Sequence, residues 1–180
     1  MEKDLKNYTR VTEIVNQFTD FSHIPFEVLE NKRNIGSDVH LAIESEEEGF
    51  FHIASDLSAG YIESYRRWKD SVKPKFKVME KRFFDDDLKV TGQVDAIVKV
   101  QGLEFIVDFK TSASANKEVW PLQAHFYWHL TNKNEEMLDP RVVFIKLDKE
   151  GKLPKIYEYE FSLDTWKVCL AYLEVYKYRH

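Results

Sequence analysis

Cysteine is nearly missing from this chain: Cys169 is the only one in 180 residues. A disulfide within the chain is therefore impossible, and so is a zinc or iron–sulfur centre built on several thiolates. Glycine and proline are scarce, at six and five residues, which argues for short connections. No apolar run approaches the roughly 20 residues needed to cross a bilayer. The opening residues, MEKDLKNYTR, are charged and contain no apolar signal core. Internal repeats, low-complexity tracts and long linkers are also lacking. A single domain over residues 1–180, cytoplasmic and without membrane association, is the expectation.

Apolar side chains are abundant. Hydrophobic residues make up 43% of the chain and aromatics 14%, enough to bury a sizeable core and to exclude a disordered chain. The net charge of −5 disfavours wholesale coating of nucleic acid, but the charge is unevenly spread. RRWKDSVKPKFKVMEKR (66–82) sets eight Lys/Arg against Asp70 and Glu80, whereas ESEEEGF and DDD are acidic. Local patches decide phosphate binding, while the total mostly governs solubility. Arg66, Arg67, Lys73 and Lys75 are thus candidate contacts to a nucleic-acid backbone. Solvated faces of a helix end and an edge strand would give the same pattern.

Periodicity divides the chain into helices, three strands, a helix, two strands and a final helix. Val11, Ile14, Val15 and Phe18 repeat at helical spacing. PFEVLENKRNIGSDVHLAIESEEEG reads as one or two helices with a break at Gly36, and ASDLSAGYIESYRRWKDSV as a helix stopped by Pro74. KFKVMEKRFFD, VTGQVDAIVKV and LEFIVDFK alternate as strands, the last two joined by a tight turn at Gln101-Gly102. The helix in KEVWPLQAHFYWHLTN is expected to begin near Pro121. RVVFIKLD and KIYEYEF form a second strand pair, and SLDTWKVCLAYLEVYKYR a helix capped by Ser162. The fold class is α/β (α+β): helices around a central mixed sheet that contains a three-stranded antiparallel meander.

With Gln101 and Gly102 as the turn, opposed residues place Asp95 across from Asp108 and Gln93 across from Lys110. Asp108 and Lys110 share a face because strand side chains alternate. Directly opposed carboxylates repel unless a cation lies between them, and dense hard oxygen ligands suit Mg²⁺ or Mn²⁺. Glu80, on the preceding strand, comes within reach if DDDLK is a simple link. Such a site matches phosphoester hydrolysis, with a metal ion and a lysine sharing the charge stabilisation. An exposed hairpin carrying ordinary surface charges is the competing reading.

GQVDAIV followed by FIVDFKTS resembles the PD-(D/E)XK nuclease superfamily, most closely its RecB-like and phage-exonuclease branch. Gly92–Asp95 stands for that branch's G-x-x-D motif, Asp108-Phe109-Lys110 for D-x-K, Gln123–Tyr127 for Q-x-x-x-Y, and Gly36 with His40 for G-x-x-x-H. The motifs are individually weak but specific in this order. The resemblance implies a restriction-endonuclease-like fold and metal-dependent DNA cleavage with one or two Mg²⁺ or Mn²⁺ ions. It implies Asp95, Asp108, the Phe109 carbonyl and His40 as metal ligands, Lys110 as the catalytic lysine and Glu80 as the early acidic residue. Gln123 and Tyr127 would line the site or touch DNA. Val107 replaces the proline of the name motif, and the single cysteine excludes the iron–sulfur cluster of some relatives.

The resulting expectation is an exonuclease acting on DNA ends in recombination or repair, of phage or mobile-element type, in the host cytoplasm if viral. The alternatives are a structure-specific or restriction-type endonuclease, and a non-catalytic DNA-binding subunit. No Walker-type loop or helicase motif is present, so a motor, recombinase or annealing protein would be a separate chain; an oligomer is compatible with the sequence. Each motif residue also has a plainer reading. His40 and Tyr127 could be packed side chains and Gln123 a partly buried amide. His125 and His129, four apart but without a local carboxylate, read as surface histidines.

Overall fold

The computed structural model describes residues 4–135 and 141–180. Its centre is the predicted hairpin. Gln101 and Gly102 both adopt positive φ, 50° and 92°, the requirement of a tight two-residue turn whose twist matches its strands. Strands β3 (Val90–Val100) and β4 (Leu103–Lys110) pair from Val100–Leu103 to Ala96–Val107. The predicted register is therefore present, but the ladder stops one pair short of Asp95 and Asp108.

Strand β2 (Lys75–Asp85) runs antiparallel along nearly all of β3, which completes the expected meander. Strand β5 (Arg141–Lys146) lies parallel to β4, and β6 (Lys155–Tyr159) antiparallel to β5. A two-residue strand not foreseen from the sequence, β1 (Thr9–Arg10), pairs parallel with Val90 and Thr91. Because β2 fills one edge of β3, β1 and β4 must share the other edge. Between them the stretch from Gly92 to Asp95 has no strand partner on that side, and the sheet opens there.

Two apolar layers close the sheet. Helices α1 (Val11–Asn16), α4 (Val119–Glu135) and α5 (Leu163–Arg179) bring Ile14, Phe126, Leu130 and Leu173 against Val94, Ile106 and Phe144. Helices α2 (Phe26–Glu48) and α3 (Ala59–Val72) bring Val39, Ile43, Tyr65 and Trp68 against Ala96, Val98, Val107 and Phe109. Strict alternation would keep Val94 and Ala96 on one face, yet they join opposite layers, as do Phe83 and Met79 on β2. Both strands therefore turn over together at Glu80 and Asp95. Glu80 takes φ 45°, a left-handed conformation that costs a non-glycine residue energy and persists only where its surroundings enforce it.

Some local expectations change. Helix α2 runs unbroken through Gly36 for 23 residues and ends at Gly49, φ 76°, because a lone helical glycine lowers stability without ending the ladder. Helix α4 begins at Val119, two residues before Pro121; Asn116 Oδ1 accepts from the amides of Glu118 and Val119, and a proline in the first turn loses no helical hydrogen bond. Asp85, where the expected strand meets the DDDLK link, is the buried last residue of β2.

Candidate active site

The open stretch of β3 is where polar groups collect. Asp95 lies across from Glu80, between the pairs Met79–Ala96 and Lys81–Val94. Its Oδ2 accepts the Phe109 amide at 2.6 Å, so a side chain takes over the bond that the β3–β4 ladder gives up. His40, in the middle of α2, places Nε2 3.1 Å from the Phe109 carbonyl. A carbonyl only accepts, so Nε2 carries the proton, and Nδ1 faces Asp95 Oδ1 at 3.3 Å and Glu80 Oε1 at 3.4 Å. One ligand atom each from His40, Glu80 and Asp95 lie within 4.8 Å of one another. The second Glu80 oxygen accepts from Gln93 Nε2 at 2.6 Å, and Gln93 Oε1 accepts from Arg82 at 2.6 Å. An oriented chain thus aims the Glu80 carboxylate.

Beside this cluster, Lys110 Nζ approaches Asp108 Oδ2 to 2.6 Å and donates to Gln123 Oε1 at 3.0 Å. Gln123 in turn donates to the Tyr127 hydroxyl at 2.8 Å, so the four-residue spacing on α4 braces the lysine. Asp108 Oδ2 is buried, and the Lys110 ammonium is its one close donor among the described residues. Asp108 also falls outside the three-ligand grouping. The structure brings together His40, Glu80, Asp95, Asp108, Lys110, the Phe109 carbonyl, Gln123 and Tyr127, with Asp108 turned toward the lysine.

The charges here are poorly balanced. Burial pushes the Asp108 carboxyl up from its ordinary range, and Asp95 adds to the rise; Lys110 and His40 offset only part. For His40, burial opposes the charged form, but Asp95, Glu80 and Asp108 outweigh it and raise its pKa well above the usual imidazole range. Burial, then Asp108 and Asp95, hold the Tyr127 phenol well above its usual value. Three carboxylates and one imidazole, crowded together with one ammonium beside them, form a donor set that fits a hard or borderline divalent cation.

Gly92 earns its place by packing. A Cβ there would stand 2.9 Å from Leu130 Cδ1, 3.1 Å from Tyr127 Cε1 and 3.1 Å from Val11 Cγ2, so α1 and α4 approach the strand only against glycine. At Gly36 a Cβ would meet only Thr111 Oγ1, at an ordinary 3.4 Å.

The four basic candidates of the 66–82 segment are not brought to this site. Arg66 pairs with Glu46 at 2.8 Å and Arg67 with Glu63 at 3.0 Å. Lys73 ends α3, and Lys75 lies across from Lys99, at the other end of β2 from Asp85. Instead, Lys32 and Arg33 line a cavity of about 440 Å³ with Thr111, Ser112 and Ser114, just beyond Lys110. Arg33 precedes His40 by seven residues, two helical turns on the same face, a spacing that could have pointed to it. Arg10 and Arg82 line a cavity of about 200 Å³ with Gln93 and Tyr127; the sequence carries no signal for that pairing. A larger cavity of about 480 Å³ beside Phe50 and His52 contains none of the clustered site groups.

His125 and His129 are not surface histidines. His125 is buried; it donates to the Pro121 carbonyl at 2.7 Å and accepts the Ser162 amide at 2.9 Å. His129 stacks on Trp166 and lies 2.6 Å from Asp85 Oδ2. Both serve packing between α4 and its neighbours.

The profile of the PD-(D/E)XK nuclease superfamily matches residues 32–174. The chain belongs to this superfamily. Solved structures agree on the fold. A candidate exonuclease from Eubacterium rectale superimposes with a TM-score of 0.57 at 13% identity, covering 97% of this chain and 80% of that one. An alkaline exonuclease from Laribacter hongkongensis superimposes with a TM-score of 0.53 at 7% identity, covering 96% of this chain and 87% of that one. No curated protein matches the sequence. The six-stranded mixed sheet with helices on both faces is thus the restriction-endonuclease-like fold of the superfamily. No helix among the described residues is long and apolar enough to cross a membrane.

Proposed function

We propose that this protein is a metal-dependent deoxyribonuclease of the RecB-like and phage-exonuclease branch, a single nuclease domain that degrades DNA from its ends in recombination or repair. The observation that carries the reading is the crowding of negative charge at the open edge of β3: Glu80, Asp95 and Asp108 converge beside His40 and Lys110. Structural carboxylates are normally satisfied when buried.

His40, Glu80 and Asp95 would hold one Mg²⁺ or Mn²⁺ ion, with Asp108 and the Phe109 carbonyl completing that site or sharing a second ion. When bound, such an ion supplies Lewis-acid stabilisation of phosphoryl charge and acidifies water. The chain's own groups do the rest. Lys110, braced by Gln123 and Tyr127, presents its ammonium beside the carboxylates, where it orients the attacking oxygen and neutralises charge as the phosphodiester opens in line. The Arg82–Gln93 chain keeps Glu80 from rotating away. Lys32 and Arg33, with the hydroxyls after Lys110, offer phosphate contacts along the bound strand.

Digestion of end-labelled linear duplex, linear single strands and closed circles, with Mg²⁺ or Mn²⁺, tests this. Linear DNA should be degraded and circles spared, and Lys110→Ala should lose about 1,000-fold in rate. Cutting of closed circles would make the protein an endonuclease. A folded wild type that neither binds Mn²⁺ nor cleaves DNA would sink the reading.

A further inference from the structure

Helix α5 carries an apolar line on the side that faces away from the core. Cys169 and Leu173 are its buried residues, and Trp166, Tyr172 and Tyr176 pack beside them. Successive residues turn by about 100° around a helix axis, so Asp164, Val168, Ala171, Val175 and Tyr178 form the line opposite Cys169 and Leu173. From Val168 on, that line is apolar over three turns, about 15 Å. It is also bare. Val168 is 45% exposed, Val175 39% and Tyr178 92%, and Ala171 is exposed too. Single exposed apolar residues are ordinary, but the outermost line of a surface helix normally carries polar and charged side chains.

Val168 and Val175 stand seven residues apart, with Ala171 and Tyr178 three beyond each. That is the a and d spacing by which one helix packs along another. Exposed Lys167 and Glu174 flank the line on one side; on the other, Tyr172 packs on the core and Arg179 lies over Phe18. Within α5, Lys167 meets Asp164 at 2.9 Å and Glu174 meets Lys177 at 3.2 Å, exposed pairs that contribute little and rearrange readily. A lysine and a glutamate on one flank are complementary to the same flank of a second α5 running the other way. An antiparallel pair about a two-fold axis level with Cys169 and Leu170 sets Val168 of each copy against Ala171 of the other. It also brings Lys167 of each copy to within about 3 Å, along the axis, of the level of Glu174 of the other. Symmetry makes that pair twice. Sliding one copy by a heptad would put Glu174 beside its own equivalent, so charge selects the first register.

We propose that α5 is an interface between two copies of this chain, joined as an antiparallel helix pair with Val168, Ala171 and Val175 at its centre and reciprocal Lys167–Glu174 pairs at its rim. Ala171 lets the two helices approach closely, and the two-fold makes the patch self-complementary. The contact is one helix wide, so the association is weak, with a dissociation constant on the order of 10 μM. None of these residues belongs to the candidate active site, so each copy keeps its own, whatever reaction that site carries out.

Sedimentation velocity of the full chain, across a concentration series that brackets about 10 μM, reads the association. Wild type should pass from monomer to dimer, and less readily in high salt. Val168→Glu, at an exposed position, should weaken dimerisation about 100-fold. Lys167→Glu should weaken it about tenfold by setting like charges together, and Lys167→Glu combined with Glu174→Lys should restore it. The melting temperature of each variant, measured at dilution, should match that of wild type and so separates loss of contact from loss of fold. Wild type that stays monomeric throughout the series overturns the interface. So does a dimer that Val168→Glu leaves intact, or one that the double exchange fails to restore.

Discussion

Two buried aspartates at different places on the same sheet have opposite surroundings. Asp85, at the end of β2, accepts the amides of Asp87 and Leu88 at 2.8 and 3.0 Å, Lys133 Nζ at 2.7 Å and His129 Nε2 at 2.6 Å. Burial alone would raise its pKa, but Lys133, His129 and the two amides outweigh it and hold the carboxyl well below its ordinary range. Asp108, in β4, has one ammonium and a second carboxylate nearby, and burial raises its pKa. One aspartate is satisfied within the fold. The other is left wanting a cation. Carboxylate burial alone does not mark a site; the deficit of donors does.

The largest way to sharpen this contrast is Asp85→Ala. Removing the carboxylate strands Lys133 and His129 and should cost about 3 kcal/mol of stability, read by urea unfolding, with Mn²⁺ affinity unchanged. The pH dependence carries the same message. The Asp85 pKa is depressed in the folded state, so its contribution is fully present above the ordinary carboxylate range and fades as pH falls through the folded pKa. Wild type should therefore lose stability to acid more steeply than Asp85→Asn; parallel acid profiles would refute the assignment. Gly92→Ala should cost about 2 kcal/mol through overpacking against Val11, Tyr127 and Leu130. Gly36→Ala, in an ordinary contact inside a helix, should instead gain about 0.5 kcal/mol. Asp108→Asn should have the smallest effect and the opposite sign to Asp85→Ala. It relieves a buried charge and should raise the metal-free melting temperature by about 1 °C, while reducing the stabilisation that Mn²⁺ confers. A lowered melting temperature would place Asp108 with Asp85 as a structural group.

Much of this was legible in the chain. The Gln101-Gly102 turn and the alternation on either side were enough to set the hairpin register, because side chains of the wrong parity would have left both apolar layers unfilled. The resemblance of Gly36 and His40, Gly92 and Asp95, Asp108 and Lys110, and Gln123 and Tyr127 to the nuclease motifs pointed to one cluster. Of the basic stripe, the four residues singled out lie away from the site while Arg82 reaches it: Arg67 pairs with Glu63 one turn back on α3, and Arg66 with Glu46 on α2, a partner that no local pattern shows. The two histidines of α4 were read as surface because their partners lie far off in sequence: 44 residues separate Asp85 and His129, and 37 separate His125 and Ser162.

Local sequence thus determined the elements and the hairpin register that sets Asp95, Asp108 and Lys110 close together, because those follow from periodicity and turn geometry over a few residues; His40, Gln123 and Tyr127 were reached through the resemblance to the nuclease motifs. Only the tertiary structure decided the rest: that β1 and β4 share one edge of β3 and leave a gap, that β2 and β3 turn over together at Glu80 and Asp95, and that Arg10 and Arg82 line one cavity. Each of these depends on chain segments brought together by packing over long separations, where charge is met or left unmet by neighbours that no spacing rule names.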